Sequence, residues 1–196
     1  MLDYGIGNLR SAQKGLERVG ADAHLTADPG LIADAAGVVL PGVGAFGRCA
    51  EELRAAGLEP LVHAAVESGR PFLGICIGMQ LLYEGSDESP RQPGLGVLPG
   101  TIGLLPDTVK RPQMQWNRLT PCRPSPLLAG LGEDPWMYFV HSYVAGDGPE
   151  VVATCHYGGT VTALVEKDNV AACQFHPEKS GANGLRLLAN FVAQLN

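Results

Sequence analysis

The stretch from Arg70 to Glu84 constrains the fold more than any other part of the chain. It begins with an apolar run, Arg70-Pro71-Phe72-Leu73-Gly74-Ile75, that lacks polar alternation. A strand that reads as apolar on both faces must be covered on both, which is the situation of parallel strands sandwiched between helices. The run ends in Gly74-Ile75-Cys76-Ile77-Gly78 and passes into a helical pattern, Met79-Gln80-Leu81-Leu82-Tyr83-Glu84. A cysteine between two glycines at a strand-to-helix turn has the form of a nucleophile elbow. Small neighbours let the turn lie close to the adjacent strand and helix, and the turn presents the side chain at the carboxyl end of the sheet. The first backbone N–H groups of the following helix favour thiolate over thiol and can hold an oxyanion. Free cysteine is also among the most buried residue types, so this stretch alone leaves Cys76 open between nucleophile and core filler.

The rest of the first half fits a parallel sheet. Residues 37–42 form a second apolar run. Residues 11–20, 46–57 and 60–69 carry apolar side chains at helical spacing, and each ends in glycine. Strand, helix and strand alternate, which predicts an α/β fold with a parallel sheet covered by helices. After about residue 95 the texture changes. Short β-rich pieces at 95–105, 113–119, 136–144, 150–157 and 160–175 predict antiparallel strands added to that sheet. Residues 181–196 read as a helix with Leu185, Leu188, Phe191, Val192 and Leu195 on one side. No linker or repeat divides the 196 residues, and 45% apolar content supports one core, so a single domain over 1–196 is expected.

Composition narrows the function. The net charge is −6 with no basic stripe, which argues against nucleic acid as a partner. No apolar run reaches the roughly 18 residues of a membrane-spanning helix, and the N-terminus lacks a signal-peptide layout. A soluble cytoplasmic protein is expected. The five cysteines (Cys49, Cys76, Cys122, Cys155, Cys173) are odd in number, widely spaced and without a CxxC, so neither a disulfide framework nor a zinc site is expected. Gly5-Ile6-Gly7 starts a dinucleotide-like pattern, but position 10 is Arg10 and only Met1 and Leu2 stand where a strand should precede. It reads as a strand-to-helix turn, with Asn8 or Ser11 capping the first helix.

A thiolate nucleophile needs a base, and the base needs an orienting partner. Of the five histidines, His24 lies in a polar connection, His63 within a helix and His156 before a Gly-Gly turn. His176 is placed differently. It follows an apolar strand in Cys173-Gln174-Phe175-His176-Pro177-Glu178-Lys179, where Pro177 ends the ladder. Glu178, two residues on, can accept from one ring nitrogen and leave the other for the thiol.

Together, GICIGMQ (74–80) and QFHPEKS (174–180) resemble the paired motifs of the glutamine amidotransferases that use a Cys-His-Glu triad. Residues 3–11 (DYGIGNLRS), 40–46 (LPGVGAF), 114–117 (MQWN) and 138–143 (YFVHSY) are similar to the glutaminase subunits of imidazole glycerol phosphate synthases. Those subunits supply ammonia to a step of histidine biosynthesis. Met79 fits that subgroup, since relatives that make GMP or anthranilate usually carry histidine there.

The resemblance covers essentially the whole chain. It implies a three-layer, flavodoxin-like α/β fold with a mixed, mostly parallel central sheet. It also implies Cys76 as nucleophile, His176 as base and Glu178 as orienter. Gly42-Val43-Gly44, with the N–H of Ile77, would form the oxyanion site. Gln80 and Gly44 would hold the substrate glutamine, Glu88 its amino group, and Ser142 and Tyr143 would line its pocket. Trp116, Asn117 and Tyr138 would face a (β/α)8-barrel cyclase in a heterodimer. No cofactor or metal is implied.

Two departures stand out. The family's first strand is longer, and its shortening to Met1 and Leu2 predicts lower stability. Pro112-Gln113-Met114-Gln115-Trp116-Asn117 stands where the family often has P-H-M-G-W-N, and Gln115 adds bulk and excludes glycine's backbone freedom. Two other readings compete. A thiol hydrolase or peptidase on the same elbow would not require Gly42-Val43-Gly44 or Gln80. A catalytically silent regulatory subunit would not require all three triad residues.

Overall fold

The computed structural model describes residues 1–6 and 9–195. Its first half runs α1 (Leu9–Arg18), α2 (Pro29–Asp34), β1 (Val38–Gly42), α3 (Phe46–Ala55), α4 (Glu59–Glu67), β2 (Phe72–Cys76) and α5 (Ile77–Leu81). Short strands β3 (Gly85–Ser86) and β4 (Thr101–Leu104) follow. Then come β5 (Gln113–Arg118), β6 (Thr120–Pro121), β7 (Trp136–His141), β8 (Tyr143–Val144), β9 (Val151–His156), β10 (Thr160–Lys167), β11 (Val170–Cys173) and α6 (Gly181–Val192).

The main sheet has six strands in the order β1-β2-β11-β10-β9-β6. Its centre is parallel: β2 pairs with β1 on one side and with β11 on the other. All five residues of both β1 and β2 are buried, as a strand covered on both faces requires. The register sets Gly42 opposite Cys76 and Cys173 opposite Ile75. Three parallel strands therefore end together, and the segments that leave them (43–45, 76–78 and 174–178) converge at one edge. The flanking helices and the mixed sheet match the expected α/β fold.

The second half corrects one expectation. Strands β9, β10 and β6 do add antiparallel to the sheet. β5 and β7 instead pair with each other in a separate two-stranded ribbon, and β3, β4 and β8 form a small sheet of their own. β11 is antiparallel to β10 but parallel to β2, so it joins the parallel core. The ribbon buries only one of its two faces. Met137, Phe139 and His141 are buried, while Met114, Trp116 and Trp136 stand exposed.

Helix details follow local chemistry. Asp28 caps α2, its side chain accepting from the Leu31 N–H at 2.9 Å. Ser11 lies inside α1 and cannot cap its start. Asn8, the other expected cap, lies outside the described residues. α6 buries Leu187, Leu188 and Phe191, with Leu185 only half-buried, so the buried stripe is rotated from the expected one. Phe46, Phe72, Phe139 and Phe175 are fully buried, and Phe139 meets Phe175 edge-on with ring centroids 5.6 Å apart. At the chain start, the Leu2 N–H donates to the Val39 carbonyl and Leu2 forms an isolated parallel bridge with Thr26. Among the described residues, no helix is long and apolar enough to cross a membrane.

Candidate active site

Cys76 is the last residue of β2 and adopts φ 55°, ψ −111°. A non-glycine residue at positive φ is strained, and such strain persists where the surroundings over-determine it. Gly78 explains part of the turn, since a side chain there would collide with the Leu40 carbonyl of β1. The elbow thus needs glycine for close approach to the next strand. α5 has only five residues, shorter than the helical pattern suggests. With so short a helix, its contribution at Cys76 is the backbone N–H groups of its first turn rather than a long helix dipole.

His176 follows β11, and its N–H donates to the Tyr138 carbonyl at 2.9 Å, tying it to the ribbon. The Ser180 hydroxyl donates to the His176 carbonyl at 2.6 Å and accepts from the Tyr138 N–H at 2.9 Å. The backbone of His176 is therefore held from both sides. Its Nδ1 meets Glu178 Oε1 at 2.8 Å, with side chains only 2% and 4% exposed. Nε2 is buried with no hydrogen-bond partner among the described residues. Burial disfavours the imidazolium, but the Cys76 sulfur and then the Glu178 carboxylate outweigh it and raise the pKa to about 9. A thiol, an imidazole and a carboxylate thus stand in series out of water, an arrangement that can move a proton from sulfur to Nε2 and stabilise the imidazolium.

A cavity of about 410 Å³ opens on this line, with Cys76 and His176 in its wall. Val43, Gly44 and Ile77 border it beside the sulfur, and Gln80, Glu88, Ser142 and Tyr143 border it further out. Gly42 lies behind Val43, and Glu178 behind His176. Gly44 has φ +100°, a conformation that favours glycine and turns the chain out of β1. Glu88 is held by the Phe46 N–H, which donates to Oε2 at 2.7 Å. Gln80 is 1% exposed. Its Nε2 donates to the Tyr143 carbonyl at 3.1 Å and to Gln174 Oε1 at 2.9 Å, while its Oε1 has no partner among the described residues.

The three residues expected at a partner face lie outside the cavity. Trp116 and Tyr138 are cross-strand partners in the ribbon, with rings edge-on at 6.1 Å. Asn117 is turned inward instead, its Nδ2 donating to the His156 carbonyl at 2.9 Å. Gln115 sits exposed in mid-strand opposite Phe139 without a positive φ, so the strand there does not need glycine. Gln113 is fully buried and donates to Cys155 Sγ at 3.7 Å.

Three polar residues at or beside the cavity have no role in the sequence reading: His141, Lys179 and Gln174. His141 and Lys179 border the cavity. Gln174 is a fully buried amide after an apolar strand, and a polar residue in such a setting is itself a signal. Among the described residues, no group of three or more His, Cys, Asp or Glu side chains is placed to hold a metal ion.

A strained cysteine elbow, a buried histidine–glutamate pair and a cavity at the carboxyl edge of a parallel sheet form a site suited to thiol chemistry. The family model of the class-I glutamine amidotransferases matches residues 1–195, and the chain belongs to that family. Its curated relatives are narrower in name. The imidazole glycerol phosphate synthase subunit HisH of Salinibacter ruber is 51% identical, with 98% of this chain and 93% of that protein covered. HisH of Synechococcus elongatus is 49% identical, covering 100% and 92%, and HisH of Geobacter sulfurreducens is 46% identical, covering 97% and 96%. Among solved structures, a glutamine amidotransferase superposes with a TM-score of 0.77 at 25% identity, covering 99% of this chain and 97% of that one. PurLQS from Thermotoga maritima shares the fold, with a TM-score of 0.71 at 21% identity over 100% of this chain and 97% of that one.

Proposed function

We propose that this chain hydrolyses L-glutamine at Cys76 and passes the ammonia to a (β/α)8-barrel cyclase subunit, forming imidazole glycerol phosphate synthase in histidine biosynthesis. The observation that carries the reading is the buried Cys76–His176–Glu178 series at the converging ends of β1, β2 and β11. His176 takes the thiol proton, and the thiolate attacks the carboxamide carbon. The Ile77 N–H and the Gly42-Val43-Gly44 backbone receive the oxyanion. His176 returns the proton to the departing nitrogen, ammonia leaves, and water resolves the thioester to glutamate. Gln80 and Gly44 hold the substrate in place. Glu88 receives the α-ammonium group, and Ser142 and Tyr143 close the carboxylate end.

The outward face of the β5–β7 ribbon suits a partner. Met114, Trp116 and Trp136 are 62%, 47% and 48% exposed there, and large aromatic and methionine side chains are enriched at protein interfaces. Tyr138 lies on the same face, and its carbonyl receives the His176 N–H. A partner seated on the ribbon is therefore one hydrogen bond from the catalytic base. The whole chain acts as one cytoplasmic catalytic domain with no cofactor.

The test is glutamate release from L-glutamine by this chain, with and without the barrel cyclase and its ribotide substrate. Release that rises on adding both supports the reading. No release under any condition, or release unchanged in Cys76→Ala, refutes it.

A further inference from the structure

We propose that Gln174 is a second hydrogen-bond donor to the Cys76 sulfur, and that Gln80 and Gln174 form an amide relay linking the glutamine pocket to the nucleophile. The proposal rests on the reading of Cys76 as the nucleophile. Gln174 follows β11, two residues before His176, and its backbone N–H donates to the Ala163 carbonyl at 2.9 Å. Its side chain is fully buried, and its Nε2 lies 3.8 Å from Cys76 Sγ. The sulfur therefore has the His176 ring as one neighbour and the Gln174 amide as another.

The direction of each amide is set by an acceptor that cannot donate. The Tyr143 carbonyl only accepts, so the Gln80 group facing it at 3.1 Å is Nε2. The second hydrogen of that nitrogen points to Gln174 at 2.9 Å, so the Gln174 atom there is Oε1. Gln174 Nε2 is then left facing the sulfur. Rotating either amide would set two donors or two acceptors against each other in a dry site.

A donor to the charged form favours that form. Once the thiol proton has moved to His176 Nε2, the Gln174 N–H shares the charge left on sulfur. At the far end, Gln80 Oε1 is buried, unpaired among the described residues and part of a side chain on the cavity wall. An N–H of bound glutamine that donates to it polarises both amides toward the sulfur, as linked hydrogen bonds do. The relay thus ties occupancy of the pocket to stabilisation of the thiolate.

Gln174→Met keeps the length and removes the donor. Carbamidomethylation of Cys76 by iodoacetamide at pH 7, followed on the Cys76 peptide by mass spectrometry, is expected to slow about tenfold, with its pH–rate profile displaced to higher pH. Glutaminase kcat falls with it. A thermal melt establishes that the variant is folded. An independent measurement uses the unaltered chain: in a 15N NMR titration, the Gln174 side-chain amide proton moves downfield over the pH range in which alkylation accelerates, and it stays still in Cys76→Ala. An alkylation profile unchanged in folded Gln174→Met, or an amide proton that ignores the titration, overturns the proposal. If Gln174→Met does not fold, the NMR titration decides alone. Native Cys76 inert to iodoacetamide, with activity surviving Cys76→Ala, would instead overturn the nucleophile reading and the relay with it.

Discussion

His141 gives a prediction whose size follows from its surroundings. The residue is 6% exposed and directly opposite Gln113 across the ribbon. Its Nδ1 pairs with the Tyr143 carbonyl at 2.8 Å, which leaves Nε2 as a bare acceptor, buried and without a partner among the described residues. Burial pushes its pKa from 6.5 down to about 4, against the Tyr143 bond and with help from His176. The folded pKa is depressed, so the unfolded chain binds a proton there that the folded chain refuses. The stability at stake is present above pH 6.5 and is lost as pH falls toward 4. Between pH 7.5 and pH 5 the loss is roughly 2 kcal/mol, at about 1.36 kcal/mol per unit of separation. His141→Gln keeps a polar side chain but does not titrate. Urea denaturation followed by circular dichroism, on both proteins at both pH values, isolates the effect because the other groups titrate in both. The variant should be the less stable at pH 7.5, with the gap narrowing by about 2 kcal/mol at pH 5. A gap that does not change with pH would refute the reasoning.

Three further outcomes are expected. Glu178→Gln leaves His176 in place but removes the charge that stabilises its imidazolium, so kcat for glutamate release should fall by about 10²–10⁴, with KM changed far less. The folded pKa of His176 is raised to about 9, so the stability it contributes is complete below pH 6.5 and lost as pH rises through about 9; thermal melts from pH 6.5 to 10 should show this decline, reduced in Glu178→Gln. Trp116→Ala should weaken binding of the proposed barrel partner by tenfold or more, measured by titration calorimetry, while glutamate release by the chain alone stays unchanged.

Cys76 and His176, the proposed nucleophile and base, stood out in the sequence because both sit at points where the backbone changes type. A strand that must turn through Gly74 and Gly78 exposes whatever lies between them, and a strand stopped by Pro177 delivers the residue before it to the same edge. The parallel core was legible for a similar reason, since residues 38–42 and 72–76 are apolar without alternation. The fate of residues 113–118 and 136–141 was not. An apolar-rich strand is compatible with joining a large sheet or pairing in a separate ribbon, and the choice depends on partners distant in sequence. The inward turn of Asn117 toward His156 is likewise a tertiary contact with no local signal. Gln174 was hidden by its neighbours: between Cys173 and His176 it reads as part of a motif. Only the register of β11 against β2 brings its amide to the sulfur of Cys76.

The central claim is that Cys76 carries the glutamyl group during turnover. The most direct measurement is acid quenching of the chain with the proposed barrel partner and L-glutamine during turnover, followed by mass spectrometry of the cysteine peptides. The account predicts a glutamyl thioester on the Cys76 peptide alone, absent in Cys76→Ala together with glutamate release. A glutamyl adduct on another cysteine, or glutamate release that persists in Cys76→Ala, would contradict it.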